Sequence, residues 1–280
     1  MYTPILIAAL TLAAPQAADT IIPVDRDTHL DVDNFRGEVV MDAWDRDAVR
    51  IVADLDRRQT LDASRTGATL RVRPRAANGP GAADFHITVP RWMNVRVEGN
   101  QVDVEVRGTE AEIHVETIGG EVAIDGGRGR VNVRSIQGEV QVRGARGRVE
   151  AVSVNEEIAL YDIDGEVYVE TTNGDVTLRG IRSSSARATT VNGDITYDGT
   201  IDDDGRYAFS THNGDVEVTV AEGANVTVSV STFHGEFESD FPVRLTGTTR
   251  DRQFNFTLGS GLARLELESF NGEILLRRPR

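Results

Sequence analysis

The stretch Ile118-Gly119-Gly120-Glu121-Val122 returns eighteen residues later as Ile136-Gln137-Gly138-Glu139-Val140, and after another eighteen as Val154-Asn155-Glu156-Glu157-Ile158. Further copies read TNGDV at 172–176, VNGDI at 191–195, HNGDV at 212–216, FHGEF at 233–237 and FNGEI at 270–274. The central positions are Gly120, Gly138, Glu156, Gly174, Gly193, Gly214, Gly235 and Gly272, at steps of 18, 18, 18, 19, 21, 21 and 37 residues. The last step is about two units long, which predicts a drifted copy near 248–256. A half-step series, Gly129, Gly147 and Gly165, follows three of the principal positions by nine residues.

Between these turns, runs such as Val131-Asn132-Val133, Val140-Gln141-Val142 and Val226-Thr227-Val228-Ser229-Val230 alternate apolar with polar residues. A period of two puts every second side chain on one face of a strand, and no helical spacing competes with it. Each unit therefore reads as strand, Gly-containing turn, strand, Asn-Gly turn, glycine supplying the positive φ a tight turn needs. A meander of hairpins has no reason to keep a constant step, whereas stacked coils require one. Stacking also explains the columns. Two before the central position stand Ile118, Ile136, Val154, Thr172, Val191, His212, Phe233 and Phe270; two after it stand Val122, Val140, Ile158, Val176, Ile195, Val216, Phe237 and Ile274. The expectation is an all-β fold, a parallel β-solenoid with 18–21-residue coils, right-handed because parallel crossovers are right-handed.

Residues 19–90 read differently, with strands over 39–43, 49–53, 69–73 and 85–89 and an Ala/Gly/Pro-rich loop over 75–83. This predicts an N-terminal β cap protecting the first coil from edge-to-edge pairing, with 91–280 forming the repeat domain. At the other end the charge and proline of Leu275-Leu276-Arg277-Arg278-Pro279-Arg280 are expected to serve the same purpose. Residues 5–14 are apolar apart from Thr11 and precede Pro15-Gln16-Ala17-Ala18, the pattern of an export leader over 1–18. No other segment is long and apolar enough to span a bilayer. An exported chain belongs in the periplasm, at the cell surface or outside.

The repeats, together with Asn34-Phe35-Arg36-Gly37-Glu38-Val39, Ala43-Trp44-Asp45, Asp47-Ala48-Val49 and Asp84-Phe85-His86-Ile87-Thr88-Val89-Pro90, resemble the bacterial "putative-adhesin" family of β-strand-repeat proteins over nearly the whole mature chain. The resemblance implies a β-strand-repeat fold and an adhesin-like role. It brings no catalytic residues with it.

Charge and composition narrow the function classes. Forty-five acidic residues against 30 basic ones give a net charge of −15, which disfavours nucleic acid and anionic lipid surfaces, since both are bound through an excess of Lys and Arg. All the basic residues are Arg, and there is no Cys. Disulfides, thiolate metal sites, cysteine nucleophiles, Schiff-base lysines and P-loops are excluded together.

The strongest candidate feature is the acid after each central position: Glu121, Glu139, Glu157, Asp175, Asp194, Asp215, Glu236 and Glu273. On coils stacked about 4.8 Å apart these form a ladder, with repulsion of about 0.9 kcal/mol per neighbouring pair in bulk water. The expected relief is that each carboxylate accepts backbone N–H groups of its own turn, with solvent and nearby Arg completing it. A Ca²⁺ ladder is the sharper alternative, but Gly126-Gly127-Arg128-Gly129-Arg130 puts Arg where a calcium nonapeptide needs Asp. No metal and no cofactor are assigned. Asn155, Asn173, Asn192, Asn213 and Asn271 suit turns and could also form an amide ladder or a sugar-binding strip. Asp202-Asp203-Asp204 reads as a solvated loop in a lengthened repeat. His212 and His234 sit in different columns and are expected to face different ways.

Polysaccharide-cleaving β-helices build their groove from long loops and paired carboxylates, and the turns here are short. The chain is read as no enzyme, with no catalytic residues assigned. Two readings remain. One is a binding module for a glycan, an envelope polymer or a protein, with Tyr161, Tyr168 and Tyr197 as candidate contacts. The other is a self-associating structural or envelope-sensing protein.

Overall fold

A computed structural model describes residues 16–55, 58–77, 79–243 and 253–279. Residues 1–15 of the expected leader lie outside the described residues, as do 244–252. The strands in chain order are β1 (Gln16–Pro23), β2 (His29–Trp44), β3 (Ala48–Leu55), β4 (Gln59–Thr66), β5 (Thr69–Ala76), β6 (Ala83–Pro90) and β7 (Val95–Arg107). Two-strand coils follow: β8 (Ile113–Glu116) with β9 (Val122–Asp125), β10 (Arg128–Arg134) with β11 (Val140–Arg143), and β12 (Arg146–Val152) with β13 (Ile158–Tyr161). Next come β14 (Val167–Glu170) with β15 (Val176–Ile181), β16 (Ser185–Asn192) with β17 (Ile195–Gly199), and β18 (Arg206–Asn213) with β19 (Val216–Thr219). The chain ends in β20 (Val226–Thr232), β21 (Phe237–Ser239), β22 (Gln253–Leu258), β23 (Ala263–Asn271) and β24 (Ile274–Arg277).

The coils stack as a parallel solenoid with two faces. On the first face β7, β8, β10, β12, β14, β16 and β18 pair in parallel, each with the next. On the second the second half of β7 leads through β9, β11, β13, β15, β17 and β19. The inward residues of both faces form one continuous core, dominated by Val. Small β-branched residues suit this site because each strand is half-buried and pleated. Where the repeat lengthens, larger rings enter: Tyr197 lies 4.8 Å from Phe209 and 5.9 Å from Tyr207, centroid to centroid.

Strand β2, inside the segment 19–90, is itself a coil, pairing along most of its length with β7. Beyond it β5 and β6 pair in parallel with its two halves. Antiparallel strands then close the end: β4 on β5, β3 on β6, and β1 on β3. Such closure removes the free parallel edge.

The C-terminal end departs from the sequence expectation. Strand β23 pairs in parallel with β18 on one side and with β20 on the other, and β24 sits between β19 and β21. The last coil in the chain is thus the penultimate coil in space. The residues expected as a drifted repeat are, in their described part, the antiparallel strand β22 on the outer edge of β20. The terminal residues 275–277 are therefore interior to the stack, and the closing is done by β22 and the very short β21. The physical reason is that every coil presents the same hydrogen-bonding edge, so sequence order does not dictate stacking order.

Candidate functional site: the turn edge

Where the chain passes from the first face to the second, the coils from β8–β9 onward repeat one six-residue turn, and its equivalent positions form columns along one edge. The first position is Ser or Thr: Thr117, Ser135, Ser153, Thr171, Thr190, Thr211, Thr232 and Ser269 are all buried. Their hydroxyls lie under the turn, where Thr117 donates to Gly119 O (2.7 Å) and Ser153 to Asn155 O (2.7 Å). Others reach across to the adjacent coil, Thr190 to Gly174 O, Thr211 to Gly193 O and Ser269 to Gly214 O (2.9–3.1 Å). These bonds give the buried hydroxyls acceptors in the turn carbonyls, while Ser135 Oγ and Thr171 Oγ1 have no partner among the described residues. The sequence carries the signal, since a hydroxyl residue precedes each of the eight pentapeptides, but the repeat reading began one residue too late to see it.

The second position is one of the two apolar columns, and the two differ in burial. The column two after the central position, led by Val122 and Val140, is buried apart from Phe237; the column two before it points outward. Phe35, Ile118, Ile136, Val154, Val191, Phe270 and Phe233 are 39–56% exposed, forming a ridge along the edge. At its C-terminal end the rings stack: His212 on Phe270 at 4.6 Å and 14°, and Phe270 on Phe233 at 4.8 Å and 5°. His234, from the neighbouring column, meets Phe270 edge-on at 5.6 Å. His212 and His234 therefore do not face apart; Phe270, brought in by the inserted coil, gathers both.

The third position holds the amides, and they form a ladder. Asn173 Nδ2 donates to Asn155 Oδ1 (3.0 Å), Asn192 to Asn173 (2.8 Å), Asn213 to Asn192 (2.7 Å) and Asn271 to Asn213 (2.8 Å). The amide ladder foreseen for these residues is formed. The fourth position is glycine because of both φ and space: at Gly193, φ is 153° and a Cβ would lie 2.1 Å from Gly174 O. Glu156 occupies this position with φ 82°.

The fifth position is the carboxylate ladder. It extends beyond the eight repeats, through Asp103 and Glu38 to Asp84, into the segment read as a cap. In space it runs Asp84, Glu38, Asp103, Glu121, Glu139, Glu157, Asp175, Asp194, Asp215, Glu273, Glu236. The carboxylates do accept backbone N–H groups, but from the next coil and not from their own turn. Asp84 takes Glu38 N (3.0 Å), Asp103 takes Glu121 N (2.9 Å), Asp175 takes Asp194 N, Asp194 takes Asp215 N (both 2.8 Å), and Asp215 takes Glu273 N (2.7 Å). The acceptors are aspartates throughout, their one-methylene stem placing Oδ1 at the adjoining turn. The expected Arg counter-charges are elsewhere: among the described residues none of these carboxylates is in an ion pair. No group of three or more His, Asp or Glu is gathered for a metal ion among the described residues.

The opposite edge, where the second face returns to the first, carries the half-step glycines Gly129, Gly147 and Gly165 in one column. Arginines flank the first two, Arg128 in register with Arg146 and Arg130 with Arg148, whereas Asp164 and Glu166 flank Gly165. The arginines are thus gathered on the two coils that begin with β10 and β12, across the section from the acidic turn edge.

The tyrosines expected as ligand contacts are not brought together. Tyr168 is exposed on the first face, its hydroxyl donating to Glu170 (2.6 Å), and Tyr161 lies on the second face under the Arg143 guanidinium. Tyr197 is in the core, donating to Thr200 O (2.8 Å), and burial pushes its phenol far up from the usual range. Asp202-Asp203-Asp204 is an exposed turn, as expected, with Asp203 accepting from Asn225 (3.0 Å).

The family model described as Toastrack DUF4097 matches residues 28–277. Among curated proteins none matches. Solved structures with a similar chain path include a protein named as a "putative lipid binding protein" from Parabacteroides distasonis ATCC 8503. It is 11% identical, covering 94% of this chain and 97% of that chain with a TM-score of 0.52. A "putative adhesin" from the same organism is 9% identical, covering 93% and 97%, with a TM-score of 0.43. A third, a "putative adhesin" from Parabacteroides merdae ATCC 43184, is 12% identical, covering 95% and 97%, with a TM-score of 0.37. At these identities the likeness is one of fold, and the first of the three carries it.

Proposed function

Because the chain belongs to the Toastrack DUF4097 family, we propose that it is a non-catalytic, adhesin-like binding protein that lays its turn edge along an extended polymer. The observation that carries this reading is the exposed ridge from Phe35 to Phe233. An apolar column on the outside of a solenoid, broken only by Asn100, Thr172 and His212, stands against the usual scatter of single exposed hydrophobics. Flanked by amides and carboxylates, it offers an apolar strip and hydrogen-bond acceptors at the same repeat. The stacked His212, Phe270 and Phe233 rings give a platform for a sugar ring, which has one apolar face. A cell-envelope glycan fits this combination. The leader-like residues 5–14 support export to the periplasm or cell surface, and no cofactor enters the reading.

The experiment is saturable binding of labelled protein to a panel of envelope fractions and purified polysaccharides at about 0.15 M salt, where exposed charge contacts are screened. Binding to one polymer that is lost in Ile136→Ser and Phe270→Ser is the expected result. Lipid vesicles in the same panel test whether the lipid-binding name of one structural neighbour extends to this chain. Absence of binding to every polymer overturns the reading. The second reading, self-association, is favoured by the opposite charges of the acidic turn edge and the local patch of Arg128, Arg130 and Arg146. Sedimentation showing assembly that dissolves with added salt would select it.

A further inference from the structure

On the outer side of the first face, near the N-terminal end, two columns of side chains enclose a hollow of about 300 Å³. One column is Asn94, Glu112 and Arg130 on successive coils; the other, two residues further along the same strands, is Arg96, His114 and Asn132. Between them the side chains of Val95, Ile113 and Val131 turn into the core, so the floor is bare sheet backbone. The hollow exists because Asn132 is short where its column otherwise carries Arg96, His114, Glu150 and Tyr168.

Three features of this hollow are unexplained by folding. Asn132 is 93% buried, being 7% exposed, yet its Oδ1 has no hydrogen-bond partner. The buried Nε2 of His114 is likewise unpartnered, with Glu116 no nearer than 3.8 Å. Buried acceptors without donors are costly and in native proteins call for an occupant or a role. Thirdly, three nearby arginines are committed, Arg96 to Glu98, Arg134 to Glu150 and Arg148 to Glu166. Arg130 and Glu112 are in no ion pair among the described residues, although they stand on adjacent rungs.

We propose that this hollow binds one acidic sugar, a hexuronic acid residue. Its carboxylate meets the free fork of Arg130, which suits a planar carboxylate. Its ring hydroxyls donate to Asn132 Oδ1 and to Glu112. His114 is held neutral by burial and by the positive charge of Arg96, so its Nε2 accepts a hydroxyl without adding charge. A neutral sugar leaves Arg130 unmatched, and inorganic phosphate, with only one or two P–OH groups near neutral pH, brings more charge against Glu112 and fewer donors than a sugar ring. The volume is at the small end for ligand sites, which suits one ring. The site lies on a sheet face, distinct from the turn edge, and does not depend on the edge reading.

The test is an amide NMR titration of the full-length protein with D-glucuronate, D-glucose and inorganic phosphate. Saturable shifts confined to β7, β8 and β10 with glucuronate, and at least tenfold weaker response to glucose and phosphate, are expected. Arg130→Gln and Asn132→Leu should each weaken glucuronate at least tenfold, while Arg148→Gln leaves it unchanged. Thermal melts establish that the variants are folded, and if Asn132→Leu is not, Arg130→Gln decides. No shifts at these strands, equal response to glucose or phosphate, or binding that survives Arg130→Gln overturns the proposal.

Discussion

Glycine and glutamate occupy the same turn position at Gly193 and Glu156, and the two make opposite predictions. At Gly193 a methyl group would be driven into the Gly174 carbonyl of the coil beneath, and neither backbone can retreat without breaking the ladder. Gly193→Ala should therefore destabilise the protein by about 2–4 kcal/mol, read as a lowered midpoint in a urea or thermal melt. Glu156 already bears the cost of φ 82°, so Glu156→Gly should stabilise by about 1 kcal/mol in the same melt. At this scale much was legible: residue spacing alone identified the glycines, the turn amides and the acids. What it left ambiguous was the partner. A carboxylate in a solenoid is as close to the next coil's N–H as to its own, and the choice rests on a stem length that separates Asp194 from Glu121. The buried hydroxyl column was written in the sequence too, but Ser and Thr suit exposed turns equally well, so burial had to be seen.

Strands were the most legible elements, because alternation along β10, β11 and β20 forces one face inward whatever the coil order. Their pairing partners were less so: parallel edges are interchangeable, and nothing in the sequence of β23 says that it sits between β18 and β20. The exposed ridge escaped for a related reason, since apolar columns suggest burial until the turn geometry turns one of them out. The β4–β5 hairpin carries a prediction of its own. Asp62 accepts from Arg73 Nε (3.1 Å) and Arg75 Nη2 (2.7 Å), and the Arg73 hydrogen bond first, against a smaller opposing effect of burial, holds its carboxyl below the usual range. A depressed folded pKa means that the stabilisation is complete above the unfolded value of about 3.9 and is lost as pH falls through the folded one. Hydrogen exchange of the β4–β5 amides should accordingly speed up, relative to the rest of the protein, between pH 5 and pH 2.5. Asp62→Asn should remove that difference.

For the molecule as a whole, the long carboxylate column sets the response to ions. Its rungs are about 4.8 Å apart, and the net charge is −15, so raising NaCl from 0.01 to 0.5 M, which shortens the screening length from about 30 Å to a few ångströms, should raise Tm. Because several of the aspartates are already engaged by backbone N–H groups, CaCl₂ at matched ionic strength should raise it by the same amount. Scanning calorimetry in the two salts checks both, and a larger shift with CaCl₂ would revive a calcium ladder. The placement of β23 and β24 has a further consequence for how the protein is made. A ribosome delivers β20 and β21 before the strands on which they rest, so during synthesis those two have no parallel neighbour and the stack stays open at β18. Only when β23 and β24 emerge can they slide into the gap and lock both sides at once. A chain stopped at Leu262 should thus keep its N-terminal coils but expose β20 and β21 to protease, so that one inserted coil acts as a latch for strands made before it.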